Sequence, residues 1–402
     1  MVDRNWKQGL PLEGLAVLDF TRLLPGPLCT MLLGDYGAEV LKIEDLKAGD
    51  PTRFVGRFFD GSGAFYRQLN RNKKSIAIDL KAEQGREIIR ELAKKADVVI
   101  EGFRPGAMER LGLDFRELEK INKSLVYASV SGYGQESIYR EKAGHDLNYQ
   151  ALSGLLDLSA EKDGSPLVPA VQIADVIGGT MMTLSGILMA LYQRERTGKG
   201  SYVDLAMTRG LLPTLTLAAA TLNSGEDTAR RGSGQISGAY ACYNLYETAD
   251  GKYMSLAAME PVFWQRFCEA VGHQEWSVLQ YDREKRNALI EEVSRLFKKK
   301  TRSEWVEIFS VVDACCEPVL TLEEAVEHPL NHDGSYWIKA ATGTGEIEII
   351  PGFPILFSGR RGQVRYGPPQ HGEHTREILE NHGYRQADIE EMAANSVVII
   401  NK

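Results

Sequence analysis

Two residues of this sequence have side chains suited to acid/base or nucleophilic chemistry and lie in segments that could meet a ligand. The first is His145, in AGHDLNY, which follows a glycine at the end of a predicted strand-and-loop region. Its imidazole can serve as a general acid or base because the unperturbed pKa of histidine is about 6.5. A single histidine is more often a structural residue, so the local sequence leaves both roles open.

The second residue is Asp175, in QIADVIGG, at the start of an apolar segment that predicts a buried helix over 175–196. An aspartate at the N-cap of a helix is favoured simply because it accepts hydrogen bonds from free amides. The same helix start also offers N–H groups and partial positive charge to an oxyanion. We expect Gly178 and Gly179 to let a ligand approach this turn, since glycine has no Cβ.

A histidine and a carboxylate together suit two kinds of reaction at a carbonyl compound such as a thioester. Removal of the proton next to the carbonyl gives an enolate, and a racemase needs one acid/base on each face of that planar carbon. A transferase needs one carboxylate that attacks the carbonyl carbon and carries the acyl group, a role open to Asp175 alone.

Strands and helices alternate through the first half of the chain. From Gly14 the order is strand LAVLDF, loop TRLLPGP, helix LCTMLLGDYG and strand AEVLKIE, and the strands SIAIDL, DVVIEGF and LVYASVSGYG follow with an amphipathic helix between the first two. This alternation predicts a large α/β, Rossmann-like domain with an open, mostly parallel sheet. Ligands bind beyond the carboxyl ends of such strands, so we expect the site at the loops GYGQ and EGFRPG.

The length of 402 residues predicts either two domains or one large domain with a sizeable insertion, and a break in periodicity marks a domain boundary. The segment LNSGEDTARRGSGQISG is rich in glycine, serine and charge, which is typical of a linker. Beyond it, YNLYETADGKYMSLAAM predicts a hairpin and is followed by helices, so we expect a smaller α+β domain. The last part of the chain holds the strand-like pieces EIEII and PILFS and a terminal helix. We predict domain segments over 1–225, 226–331 and 332–402.

Composition argues against several classes of protein. Hydrophobic residues at 43% and charged residues at 25% indicate a folded globular chain, and a net charge of −8 gives no reason to expect nucleic acid or an anionic membrane as partner. The five cysteines show no CxxC spacing, so we expect no metal site and no disulfide framework. The first βα loop lacks GxGxxG, which argues against a dinucleotide enzyme. No run of eighteen apolar residues and no apolar leader occur, so we expect a cytoplasmic protein.

Longer motifs are spread over nearly the whole chain. They are LEGLAVLDFTRLLPGPLCTMLLGDYGAEVLKIE, LNRNKKSIAIDLK, ADVVIEGFRPGAMERLGL, LVYASVSGYGQ, AGHDLNYQALSG, ADVIGG and RERTGKGSYVDLAM. In these motifs the chain resembles the family III CoA-transferases of the carnitine dehydratase or formyl-CoA transferase type, the CaiB/BaiF family. Most of the segments are shared across the family and imply only an acyl-CoA substrate.

The motif AGHDLNY separates the branches of the family. The racemases of the family use this histidine and the aspartate of the later DxxGG motif as their two bases, whereas the transferases keep the aspartate and usually lack the histidine. For this chain the resemblance implies inversion of the alpha carbon of 2-methylacyl-CoA thioesters by His145 and Asp175. The alternatives are CoA transfer between an acyl-CoA and a carboxylic acid through an Asp175 anhydride and thioester, and a non-catalytic acyl-CoA-binding protein.

The resemblance also implies further site residues. Glu260 corresponds to a family glutamate near the active site, although a solvated acid after a strand is an equal alternative. No cofactor beyond the CoA moiety of the substrate is implied. The CoA contacts implied by the family pattern are Ile78, Asp79, Leu80, Lys81, Arg104 and the loop from Arg140 to Gly144.

One departure from the family pattern and one feature of its fold complete the expectations. The racemases often carry an arginine where this chain has Asp45, so either Lys42 or Lys47 takes over that phosphate contact or the contact is lost. The family fold implies a large domain built from both chain ends, joined to the small domain near Gly232 and His332. It also implies an interlocked homodimer whose active sites lie between the subunits.

Overall fold

The computed structural model describes residues 9–159, 164–224, 231–334 and 336–401. The chain divides into two compact units. The first holds the residues up to Ser153, Ala170–Leu212 and the residues from His332 onward, and the second holds Gly154–Pro169 and Pro213–Asn331. The boundary predicted between 225 and 226 lies outside the described residues, and the three predicted segments stay a prediction.

The first unit is built on a seven-stranded sheet. Its strands run in the order β14-β5-β2-β1-β6-β7-β8, all parallel to their neighbours except the terminal β14. The predicted mostly parallel sheet is therefore confirmed, and two small antiparallel pairs, β3–β4 and β12–β13, accompany it. The strands of this unit are β1 (Ala16–Phe20), β2 (Glu39–Glu44), β3 (Phe58–Phe59), β4 (Ser62–Gly63), β5 (Lys73–Ile78), β6 (Val98–Glu101), β7 (Val126–Ser131), β8 (Ser201–Ala206), β12 (Trp337–Ala341), β13 (Ile347–Pro351) and β14 (Val398–Ile399).

Helices cover this sheet and supply its apolar core. The amphipathic segment predicted after β5 forms a helix that buries Ile88, Ile89 and Leu92 against Val99 and Tyr127 of the sheet. The first helix begins at Pro25, three residues before the predicted start, because proline fits the first helical turn. The helices of this unit are α1 (Pro25–Asp35), α2 (Ala64–Asn70), α3 (Glu83–Ala93), α4 (Ala107–Leu111), α5 (Phe115–Ile121), α6 (Asp146–Ser153), α8 (Met182–Thr197), α9 (Met207–Gly210), α15 (Thr375–Asn381) and α16 (Gln386–Ala394).

The long apolar helix runs from Ala174 to Thr197, as a π-helical segment over Ala174–Met181 that continues into α8. It ends at Gly198, whose φ of +69° is the left-handed conformation of a glycine C-cap. By length and composition alone this helix is suited to cross a membrane, contrary to the expectation that no segment is. It contacts α1, β7 and β8 of the same unit, and 44% of its most apolar stretch is buried.

The predicted strand PILFS does not form. The N–H and the C=O of Ile355 both pair with the hydroxyl of Tyr36, at 2.8 and 2.9 Å, so they are not available to a neighbouring strand. The chain then turns back at Ser358, with a single bridge between Phe357 and Arg360.

The second unit is a small α+β assembly. Its antiparallel sheet has the order β11-β10-β9, with the predicted hairpin between β9 and β10. Stacked aromatic rings fill its core, including Phe267 against Trp264, Phe297 and Phe309. The elements are α7 (Leu155–Leu158), α10 (Thr216–Asn223), β9 (Tyr243–Glu247), β10 (Tyr253–Ala257), α11 (Pro261–Ala270), α12 (Arg286–Phe297), α13 (Arg302–Phe309), β11 (Cys316–Pro318) and α14 (Leu322–Glu327).

Candidate active site

A crevice of about 350 Å³ opens in the first unit at the carboxyl ends of β1, β6 and β7. The strand order reverses at β1, with β2 and β5 on one side and β6 to β8 on the other, which is where open α/β sheets bind ligands. The crevice brings together five predicted site residues, namely His145, Asp175, Arg104, Arg140 and Gly144. The loops GYGQ and EGFRPG both contribute, as expected from the sequence. The other lining residues are Thr21, Arg22, Leu23, Pro25, Gly26, Gly102, Phe103, Pro105, Val130, Ser131, Gly132, Tyr133, Lys142, Ala143, Tyr149 and Met207.

His145 stands immediately before α6, with its side chain exposed and its main chain fixed. Its N–H donates to Oδ1 of Asn148 at 3.0 Å, and its carbonyl accepts from the N–H of Asn148 at 2.8 Å. Gly144 lies against two aromatic rings, since a Cβ there would come within 2.8 Å of atoms of Tyr149 and Tyr133. The Tyr149 hydroxyl donates to the Gly144 carbonyl at 2.5 Å. The turn is therefore held while the imidazole stays open to the crevice.

Asp175 lies in the first turn of the π-helical segment. The prediction that it occupies the N-cap position is therefore wrong. Ile173 is the N-cap and Ala174 is the first helical residue, so Asp175 lies two positions past the N-cap. The N–H of Asp175 donates to Oδ1 of Asp146 at 3.0 Å. Burial and the nearby charge of Asp146 raise the pKa of Asp175 to about 6, against the opposing effect of His145. This carboxyl can therefore gain or lose a proton close to neutral pH.

The two glycines after Asp175 serve helix packing, which corrects the expected role in ligand approach. A Cβ on Gly178 would lie 2.4 Å from the carbonyl oxygen of Met207, and one on Gly179 would lie 2.8 Å from Cβ of Pro25. Both glycines are buried. They let the π-helical segment approach α9 and the start of α1, an approach that any side chain would prevent.

Cationic side chains surround the crevice. Arg22, Arg104, Arg140 and Lys142 line it and are exposed, whereas Asp175 is the only acid among its described lining residues. The guanidinium of Arg22 lies 5.3 Å from the centroid of the Phe103 ring. Arg22 was not predicted from the sequence, although its place in the loop after β1 could have indicated it. Such a rim suits a ligand that carries phosphates.

Glu101 precedes the crevice loop but does not itself line the crevice, and it was not predicted from the sequence. It ends β6, is 4% exposed, and its Oε2 accepts from the N–H of Phe103 at 2.8 Å. Burial raises the pKa of Glu101 to about 7, against hydrogen bonds from Ser129 and Phe103. Its carboxyl thus orients the loop that carries Arg104.

Lys42 does not reach the crevice, so the prediction that it contacts a phosphate there is wrong. Its side chain is fully buried, pairs with Oδ2 of Asp50 at 2.9 Å and donates to the Thr21 carbonyl at 2.9 Å. An ammonium engaged in this way has a structural role. Lys47 is exposed, on a turn in which its N–H donates to Oδ1 of Asp45 at 2.8 Å.

The predicted contacts at the end of β5 do not line the crevice either. Ile78 is buried in the core, and the N–H of Asp79 donates to the carbonyl of Val397 at 2.8 Å. The carbonyls of Leu80 and Lys81 accept from the guanidinium of one arginine of α3. CoA contacts through these four residues stay a prediction.

Glu260 lies in the second unit, at the N-cap position of α11. Its side chain is exposed and makes no capping hydrogen bond. A catalytic role for Glu260 stays a prediction.

Comparison with known proteins identifies the family. The model of CoA-transferase family III matches residues 12–375. Alpha-methylacyl-CoA racemase of Homo sapiens is 34% identical over 395 residues, covering 98% of this chain and 99% of that protein. Succinyl-CoA:glutarate CoA-transferase of Mus musculus is 32% identical over 397 residues, covering 96% of this chain and 90% of that protein. The crystal structure of a CaiB/BaiF family protein from Brucella suis superposes with a TM-score of 0.81 at 30% identity, covering 93% of this chain and all of that one.

These relatives include both racemases and CoA-transferases, so the hypothesis of a non-catalytic binding protein is set aside. The chain belongs to CoA-transferase family III, the CaiB/BaiF family, and is an enzyme of that family, either a racemase or a CoA-transferase.

Proposed function

We propose that this enzyme is an acyl-CoA racemase that inverts the alpha carbon of 2-methylacyl-CoA thioesters. One observation carries the proposal: an imidazole and a carboxyl, those of His145 and Asp175, line the same crevice. Two acid/base groups of different chemistry are what proton exchange on two faces of one carbon requires. A carboxyl with a pKa of about 6 can act as base in one direction and as acid in the other.

The reaction follows from proton balance. One of the two groups removes the alpha proton, and the electron pair of the broken C–H bond moves into the thioester carbonyl to give an enolate. The other group then delivers its own proton to the opposite face of the carbon. Starting from ionised Asp175 and protonated His145, a turnover leaves a neutral carboxylic acid and a neutral imidazole. The reverse reaction starts from that state, so no cofactor beyond the CoA moiety is needed.

The cationic rim would hold the nucleotide end of the substrate. Arg104, Arg140 and the loop to Gly144 line the crevice, and exposed guanidinium groups can pair with phosphate oxygens in a fork. Ile78, Asp79, Leu80 and Lys81 do not line the crevice, and contacts from them to the CoA moiety remain a further prediction.

CoA transfer is the second candidate, favoured by the 32% identity to succinyl-CoA:glutarate CoA-transferase and by Asp175 being the crevice's only described acid. Its carboxylate would attack the thioester carbonyl, giving a mixed anhydride and CoA thiolate. The thiolate would attack the Asp175 carbonyl of the anhydride and release the first acid. The acceptor carboxylate would then displace CoA as a second anhydride forms, and the returning thiolate would yield the new acyl-CoA and free Asp175.

One experiment separates the two functions. One enantiomer of a 2-methylacyl-CoA is incubated with the enzyme in D₂O, with and without a free carboxylic acid, and the alpha proton is followed by NMR. A racemase exchanges the proton for deuterium and loses optical purity in both samples. Retained configuration, with CoA appearing on the added acid, would contradict the racemase and support the transferase.

We further propose an interlocked homodimer with Glu260 near the active site, as the family pattern implies, and a location in the cytoplasm. Light scattering after size exclusion checks the assembly, and a monomer that is fully active would contradict it. Glu260→Gln is expected to lower kcat, and an unchanged kcat would leave Glu260 as a solvated acid.

A further inference from the structure

A buried ion pair holds the crevice loop on both sides of Arg22. The Lys42 ammonium donates to the carbonyl of Thr21, the residue before Arg22, at 2.9 Å. Oδ1 of Asp50 accepts from the N–H of Leu23, the residue after it, at 3.3 Å. Lys42 and Asp50 lie 2.9 Å apart with side chains that are fully buried. One ion pair therefore fixes the two peptide groups that flank an exposed arginine of the crevice.

The backbone at this point is strained. Leu23 has a φ of +68°, in the left-handed region that a branched side chain rarely adopts. Such a conformation persists only where the surrounding structure imposes it, and it occurs often at ligand sites. The hydrogen bonds from Lys42 and to Asp50 provide that constraint.

Further buried groups support the same loop from β1. Both the N–H and the hydroxyl of Thr21 donate to Oδ1 of Asp19, at 2.9 and 2.5 Å. Lys73 pairs with Asp19 at 3.1 Å and donates to the carbonyl of Pro27 at 2.9 Å. Burial alone lowers the pKa of Lys42, but the charges of Asp19 and Asp50 raise it above its ordinary value, so the ammonium stays charged.

We propose that Lys42 and Asp50 are positioning residues, which clamp the loop from Thr21 to Leu23 so that Arg22 is held in place for substrate. The inference rests on the proposed function in one respect, that the crevice takes the CoA thioester. The clamp itself is a property of the free enzyme and can be read without any ligand.

Limited digestion with trypsin measures how often the loop from Thr21 to Leu23 opens, because trypsin cleaves the peptide bond between Arg22 and Leu23. Native-state cleavage follows the population of the locally opened loop. Lys42→Met is expected to speed this cut roughly tenfold relative to cuts elsewhere, measured by mass spectrometry of the fragments. Asp50→Asn keeps the side-chain size and the bond from Lys42 to Thr21, and is expected to speed the same cut less.

The control variant is Arg71→Met, which removes a buried ion pair of similar kind away from the crevice. Arg71 and Asp35 lie 2.7 Å apart, are 3% and 0% exposed, and neither lines the crevice. The rate of cleavage after Arg22 in Arg71→Met is expected to match that in the wild type. Thermal unfolding measures the loss of stability in every variant. A rate after Arg22 that is unchanged in both Lys42→Met and Asp50→Asn would overturn the clamp.

Isothermal titration with CoA then tests the link to substrate. The dissociation constant is expected to rise about tenfold in Lys42→Met, an effect of the size of one lost charged contact, and to stay unchanged in Arg71→Met. Faster cleavage with unchanged CoA affinity would overturn the positioning role. A wild-type enzyme that binds no CoA would refute the proposed function, while the trypsin result would still decide the clamp.

Discussion

The two acid/base groups of the crevice are held in different ways. His145 is exposed at the start of a helix, and its position depends on main-chain hydrogen bonds and the packing of Gly144 against Tyr149. Asp175 is partly buried on a π-helical turn whose glycines pack closely against α9, and the charged Asp146 lies beside it. Helical segments of this rare type occur frequently at functional sites.

The surroundings of the two groups therefore differ. The His145 side chain is exposed, whereas the Asp175 carboxyl is partly buried beside a second carboxylate. A carboxylate with an ordinary pKa would be fully ionised near neutral pH, and burial together with Asp146 raises the pKa of Asp175 to about 6. Changes at Asp175 and its neighbours should therefore affect activity, its pH dependence and stability, whereas a change at His145 should affect activity.

The largest effect is expected from Asp175→Asn. The amide keeps the shape of the side chain but can neither carry a proton nor attack a thioester, so racemisation and CoA transfer should both fall by about a thousandfold or more. Turnover of 2-methylacyl-CoA in D₂O, measured with and without an acceptor acid, checks this. Activity above a tenth of the wild type in either assay would exclude Asp175 from that reaction.

A smaller and more selective effect is expected from His145→Ala. Loss of one of two bases should slow alpha-proton exchange by about a hundredfold or more, because general acid/base groups contribute factors of that order. Transfer of CoA, if present, should persist, since it requires Asp175 alone. The matched control is His382→Ala, at the end of α15 and outside the crevice lining, which should exchange protons at the wild-type rate. Undiminished exchange in His145→Ala would contradict the two-base mechanism.

Asp146→Asn tests whether the carboxylate beside Asp175 sets its proton affinity. The amide oxygen can still accept from the N–H of Asp175, but the negative charge that raises the pKa of Asp175 is gone. The acid limb of the pH profile of kcat/KM, expected near pH 6 in the wild type, should therefore move to lower pH. Rates across the range from acid to slightly alkaline pH measure the shift, and an unmoved limb would show that burial alone sets the pKa.

Much of the fold and part of the site could be predicted from the sequence. The alternation of strands and helices was sufficient to predict the parallel sheet. Because ligands bind beyond the carboxyl ends of such strands, the crevice could be predicted at EGFRPG and GYGQ. His145 and Asp175 could be selected because residue type and motif are both visible in the sequence. The roles of Gly178 and Gly179 could not be predicted, because close helix packing and ligand approach both favour the same residue.

Lys42 shows a second limit of prediction from sequence. A lysine near a predicted phosphate site suggests an exposed cation, and nothing in KIEDLKAGD indicates that its ammonium is enclosed by Asp50 and the Thr21 carbonyl. Asp50 belongs to the same segment and Thr21 follows β1, and only the folded chain brings both of them against Lys42. Arg22 could have been selected from its place in the loop after β1, but nothing in the sequence indicates that hydrogen bonds to the buried ion pair hold this loop.

The smallest effect concerns stability and has a definite sign. The pKa of Asp175 is raised from an ordinary value near 3.8 in the unfolded chain to about 6 in the fold, so folding disfavours its ionised form. The wild type should lose stability as pH rises through the window from about 4 to about 6, and the cost is complete above it. Asp175→Asn removes this cost, so it should stabilise the protein by about 1 to 3 kcal/mol at about pH 8 and by nothing attributable to charge below about pH 4. Urea unfolding of both proteins at the two pH values measures the difference, with Glu109→Gln, an exposed carboxylate of α4, as control. A gain that is equal at both pH values would mean that the amide improves packing and that the buried charge of Asp175 costs the fold nothing.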